Sequence, residues 1–206
     1  MKKLAFTLAE VLLTLTIIGV VAAMTVPNLM GAGEDKELAA QAKKAYNTLQ
    51  NAVSMHYAMT RMTPADYTRW NLLEKISPNL KYVRASNISG VVSTSGSLRF
   101  FELPDGQIMT TPNVGEYSCD TDNPSTACYV VVDVNGVDGP TFSSITRNEK
   151  NAAGIDLTQL TRATPPTSKR EYNRASRDIV FFMVNGLSVT PWMNDGTTRR
   201  YFSGKK

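Results

Sequence analysis

The longest uninterrupted pattern along the chain is apolar: Phe6 to Met30 carries one ionisable side chain, Glu10, near its start. Residues 11–30 would rise about 30 Å as a helix at 1.5 Å per residue, the thickness of one hydrocarbon core. A polar break follows at Gly31-Ala32-Gly33. From Glu34 to Met62 the apolar positions Leu38, Ala42, Ala45, Leu49, Ala52, His56 and Met59 recur at spacings of four and three, one face of an amphipathic helix. The two stretches read as one long helix, apolar all round in its first half and one-sided in its second. Pro27 lies inside it and removes a backbone donor, so a kink or local loosening is expected.

Beyond Met62 the period shortens. Thr63-Pro64-Ala65-Asp66 has the form of a helix start, with Trp70, Leu73 and Ile76 at helical spacing and Ser77-Pro78 as the stop. Residues 79–97 are mixed, and Ser93–Ser97 reads as a loop. Strands then follow. Leu98–Leu103 and Gln107–Thr111 flank a Pro104-Asp105-Gly106 turn. Tyr129–Val132 runs into Asp133-Val134-Asn135-Gly136, and Asp178–Val184 and Leu187–Thr190 flank Asn185-Gly186. Thr141–Arg177 is a long polar stretch holding Pro165-Pro166, with room for a short helix over Asn151–Thr161. The tail Thr197–Lys206 is basic and expected to be mobile. A long helix followed by four or five antiparallel strands predicts an α+β fold, the amphipathic half (34–62) packed on a sheet region over 98–190.

Charge and cysteines set the compartment. Lys2 and Lys3 precede the apolar run and favour a cytoplasmic N-terminus, which places residues 31–206 outside the membrane. These two lysines supply two of the net +4, so the chain without its first residues is only weakly basic. Cys119 and Cys128, close together in an outward-facing domain, read as one local disulfide worth about 2–3 kcal/mol in the loop-entropy account. A carboxylate at membrane depth costs roughly 2.5–3.5 kcal/mol, which marks Glu10 as functional.

A basic leader MKKLA, a small residue, Phe and an acid five positions after the junction form a specific arrangement. At Ala5, Phe6, Thr7, Leu8, Glu10, Gly19 and Pro27 the chain resembles the type IV pilin and type II secretion pseudopilin family. It departs from the family at Ala5, where glycine is usual. The resemblance implies a leader over 1–5 and cleavage between Ala5 and Phe6 by a membrane prepilin peptidase that also methylates the new Phe6 amine. It further implies a transmembrane half over 6–30, an assembly ATPase and a membrane platform protein as partners, and self-assembly with other pilins into a filament. Glu10, Gly19 and Pro27 are then assembly residues, Glu10 answering the Phe6 amine of a neighbouring subunit. The expected location is the bacterial inner membrane as a single-pass protein before assembly, and an extracytoplasmic filament after it. A pilus, a secretion pseudopilus and a DNA-uptake pilin are not separated by these residues. Two other readings stand beside the filament: an anchored extracytoplasmic binding domain that never polymerises, and a secretory signal cut near Val21-Ala22-Ala23.

Other chemistry is sparse. His56 is the sole histidine and falls on the apolar stripe, so the usual nucleophile-and-base sets cannot be built and no enzyme is expected. Asp133, Asn135 and Asp138 lie among glycines at a spacing that suits calcium, a cofactor that some members of the resembled family bind. The same residues also make turns. Arg162, Lys169, Arg170, Arg174, Arg177, Arg199 and Arg200 are the residues that would touch nucleic acid, diluted by Glu149, Glu171 and Asp178.

Overall fold

The structure is a computed structural model describing residues 7–63, 66–68, 71–93, 96–111, 119, 127–136, 169, 171 and 177–203. Of residues 26–32, 84, 86–93 and 96–99 only the backbone is described. The chain divides into two units, Met1–Glu37 and Leu38–Lys206. Helix α1 (Leu8–Thr60) contributes to both. It passes through Gly31-Ala32-Gly33 without interruption, so the expected break is absent: two glycines weaken a helix by about 1 kcal/mol each but do not by themselves end it.

In the first unit the apolar side chains of α1 are exposed all round. Leu8–Thr25 is a stretch long and apolar enough to cross a membrane, with none of its residues buried within the chain. Its threonines bond inward. Thr14 donates to the Val11 carbonyl at 2.9 Å, Thr16 to Leu12 at 2.8 Å and Thr25 to Val21 at 2.9 Å. Each hydroxyl thus finds its partner within its own helix, as a water-free setting demands.

In the second unit the stripe works as read. Leu38, Ala42, Ala45, Leu49, Ala52 and His56 are buried, joined by Val53. Met59 is the exception at 74 % exposed, because the stripe has by then run past the core. Among the described residues the sheet has six antiparallel strands in sequence order: β1 (Arg84–Ser93), β2 (Gly96–Glu102), β3 (Ile108–Thr110), β4 (Cys128–Asp133), β5 (Ile179–Asn185) and β6 (Ser188–Pro191). Phe101, Met109, Val130, Val132, Val180, Phe182, Val184 and Val189 join the helix stripe in one core. The intervening Phe100, Ile108, Tyr129, Val131 and Phe181 are buried too, so the sheet is apolar on both faces.

Four further expectations are corrected. Residues 84–93, read as mixed, form β1: Ser, Asn and Gly mask a strand whose order comes from pairing with β2, Arg84 opposite Glu102 and Ser93 opposite Gly96. Among the described residues the helix expected from Thr63 is the short α2 (Leu72–Ile76), followed by a 3-10 turn over Ser77–Asn79. Thr63 is bracketed by Asp66, its amide donating to Asp66 Oδ2 at 2.7 Å, but a second bracket, Thr68 amide to Asn71 at 2.9 Å, precedes α2. At the last hairpin Asn185 pairs with Ser188, so the two-residue loop is Gly186-Leu187. Gly186 takes φ +54° at the first central position, as a II′ turn requires. The tail, expected to be mobile, forms α3 (Gly196–Ser203) with Thr197, Thr198 and Tyr201 buried. Asp195 starts it, accepting from the Thr198 amide at 2.7 Å and the Thr198 hydroxyl at 2.8 Å. Asn151–Thr161 lies outside the described residues.

Polar ties hold α1 to the sheet. Gln107 Nε2 donates to the Gln41 carbonyl at 2.9 Å, and Lys44 pairs with Asp105 at 2.8 Å. Gln50 behaves as a strand residue would: Nε2 donates to the Leu187 carbonyl and Oε1 accepts from the Val189 amide, both at 3.0 Å.

Candidate functional site

Glu10 sits on the third residue of α1, and its carboxylate is used locally. The Thr7 amide and hydroxyl donate to Glu10 Oε2 at 2.9 and 2.8 Å, and the Glu10 amide donates to Thr7 Oγ1 at 3.3 Å. This reciprocal pair is a capping box that satisfies two orphan donors at the helix start. Sequence reasoning finds the lone acid and misses the box, although Thr7-x-x-Glu10 spells it. The box leaves Oε1 and the net charge uncommitted within the pair.

Gly19 is in open space, and a Cβ there meets nothing within 4 Å. Glycine inside a helix costs roughly 0.5–1 kcal/mol relative to alanine, and nothing among the described residues calls for it. Pro27 lies within the bounds of α1, with its ring outside the described side chains. Ala5 and Phe6 are outside the described residues.

Cys119 and Cys128 form a disulfide, Cα–Cα 4.9 Å, both buried. It fastens a residue held by two backbone bonds to the first position of β4. The Cys119 amide donates to the Tyr67 carbonyl at 3.1 Å, and its carbonyl accepts from the Gly186 amide at 3.5 Å.

Asp133 is fully buried at the end of β4, and its Oδ1 accepts from the Gly136 amide at 2.9 Å. That is a turn closed by its own side chain. Asn135 is half-buried next to it, and Asp138 lies outside the described residues. Among the described residues no group of three or more His, Cys, Asp or Glu comes together to hold a metal.

His56 is buried, its Nε2 2.6 Å from the Tyr67 hydroxyl and its ring edge-on to Tyr67. Burial, with Lys75 adding to it, holds the imidazole below its ordinary pKa. Of the basic residues, Arg199 donates to the Met193 carbonyl at 3.1 Å and lies 3.7 Å from Glu171. Arg177 offers its carbonyl to the Tyr201 hydroxyl at 2.6 Å, and Lys169 is exposed. Arg162, Arg170 and Arg174 lie outside the described residues.

Asp178, just before β5, counts in the sequence only as a diluting charge. In the structure it is 1 % exposed, and neither carboxylate oxygen meets a hydrogen-bond partner among the described residues. Burial pushes its pKa up to about 6, eased in part by its own amide and by Arg177. A raised carboxylate pKa means the folded chain binds the proton more tightly, so stability falls as pH rises from about 4 to 6 and stays reduced above. The loss is on the order of 3 kcal/mol. His56 acts in the opposite sense, its contribution fading as pH drops below about 6.5. Asp178→Asn is therefore expected to be more stable than the parent at pH 7.5 and equal to it near pH 3.5, as denaturant titrations at the two pH values will register.

No family model, no curated protein and no solved structure matches the chain.

Proposed function

We propose that this chain is a structural filament subunit of the type IV pilus or type II pseudopilus kind, drawn from the inner membrane after cleavage at Ala5–Phe6. The observation that carries the reading is the head of α1: an apolar segment with no residue buried in its own chain, opened by a single carboxylate. Such a surface needs lipid or other helices around it. Gly19 supports the same view, since small residues let helix backbones approach closely and this one has open space around it. An α+β domain closed by a disulfide suits an extracytoplasmic position. Asp133 enters the reading as a turn former, its Oδ1 already given to Gly136. The peptidase, assembly ATPase and platform protein follow from the resemblance.

The capping box favours a second reading, an anchored domain that never polymerises, because it gives Glu10 a task inside one chain. Glu10→Gln separates the two. Glutamine keeps the capping box but removes the charge. If the carboxylate answers the Phe6 amine of a neighbour, filament yield should fall about tenfold or more while the monomer remains in the membrane. Even about 1.4 kcal/mol per contact gives that factor. Unchanged filaments would favour the cap alone. Mass spectrometry of the purified N-terminus tests the processing step. Methylated Phe6 agrees with the proposal, whereas intact Met1 or a start near Met24 overturns it.

A further inference from the structure

One hydroxyl is shared between a sulfur and the only imidazole in the chain. Tyr67 Oη lies 2.6 Å from His56 Nε2 and 3.6 Å from Met62 Sδ. Tyr67 and His56 are buried, while Met62 is 44 % exposed. The hydroxyl has one hydrogen to give. A thioether is a weak acceptor and a bare imidazole nitrogen a strong one, so the hydrogen goes to Nε2 and His56 carries its own proton on Nδ1. Of the neighbouring groups, the Thr60 hydroxyl donates to the His56 carbonyl at 2.8 Å and also hydrogen-bonds the Tyr67 side chain, while Lys75 and Asp66 act on the pair through their charge.

We propose that Met62 is an oxidation site whose state is read by His56. A peroxide transfers one oxygen atom to Sδ. The sulfur lone pair attacks, the O–O bond breaks, and the peroxide is reduced to water or alcohol as Met62 becomes the sulfoxide. The new S=O oxygen, unlike the thioether, is an acceptor comparable to the bare imidazole nitrogen and takes the Tyr67 hydrogen. Tyr67 Oη then accepts instead, and His56 answers by carrying its proton on Nε2, with no change in net charge. A disulfide suits an oxidising compartment, and the Tyr67 carbonyl accepts from the Cys119 amide itself. Met59, more exposed at 74 %, lies beyond the buried pair and serves as an internal reference. The site is independent of whether the chain polymerises.

The full chain in detergent is treated with rising hydrogen peroxide, peptides are mapped by mass, and the ring nitrogens of the single histidine are observed by nitrogen-15 NMR. As Met62 converts, the protonated and bare nitrogens of His56 should exchange places. In Met62→Leu the imidazole spectrum should stay constant while Met59 still oxidises. An unchanged His56 spectrum at full Met62 conversion overturns the proposal. So does the same exchange in Met62→Leu, or a Met62 that stays reduced after Met59 has converted.

Discussion

Gly136→Ala should lower the stability of the folded chain by about 2–5 kcal/mol, the sum of two separate penalties. Gly136 has φ +61°, and an L residue held in the left-handed region costs roughly 1–2 kcal/mol. A Cβ at this position would also overlap the carbonyl oxygen of Gly106 and lie 2.9 Å from its carbon. Both are backbone atoms that no rotamer change can move, and overpacking of this kind adds roughly 1–3 kcal/mol. Gly106 is the matched control, with φ +84° and nothing within 4 Å of an added methyl. Gly106→Ala should therefore show the conformational penalty alone, about 1–2 kcal/mol. Thermal unfolding of the two variants side by side checks the difference. Equal losses would mean that the two turns separate easily.

Phe182→Ala should cost about 3–5 kcal/mol, the range for emptying a buried phenylalanine site. For a chain of this size that is a fall of roughly 6–20 °C in Tm. Phe182 is fully buried at the centre of β5. Its ring lies 6.0 Å from Tyr46 of α1 and 5.7 Å, edge-on, from Phe202 of α3, and those two are 5.8 Å apart. One ring thus anchors helix, sheet and tail together. Protease digestion offers a second readout: the tail should be trimmed earlier in the variant, since α3 loses the partner of Phe202.

The strongest patterns in the sequence are the legible ones. Leu38 through His56 can be placed on one face because the helical period holds for about five turns and water is excluded from that face only. The hairpin at Pro104-Asp105-Gly106 is readable because turn chemistry is local: the Leu103 amide meets the Gln107 carbonyl at 2.9 Å. β1 is not readable, since strand order in a serine- and glycine-rich segment depends on pairing with a neighbouring strand rather than on its own side chains. α3 is hidden because its basic residues suggest a solvated tail. The features that make it a helix are Asp195, whose side chain starts it, and Tyr201 and Phe202, which bury it. At the candidate site the acid at position 10 is conspicuous against an apolar background, whereas Thr7 passes for one more small residue of the run. Asp178 has no signature in the sequence, because burial of a carboxylate is set by the elements packed around it and not by its neighbours in the chain.

Gln50 gives the sheet two unlike borders. Its amide already occupies the outward N–H of Val189 and the carbonyl of Leu187, imitating the rung that an incoming strand would supply. A visiting peptide would have to evict that imitation before docking there. Growth by strand addition is thus disfavoured along this flank.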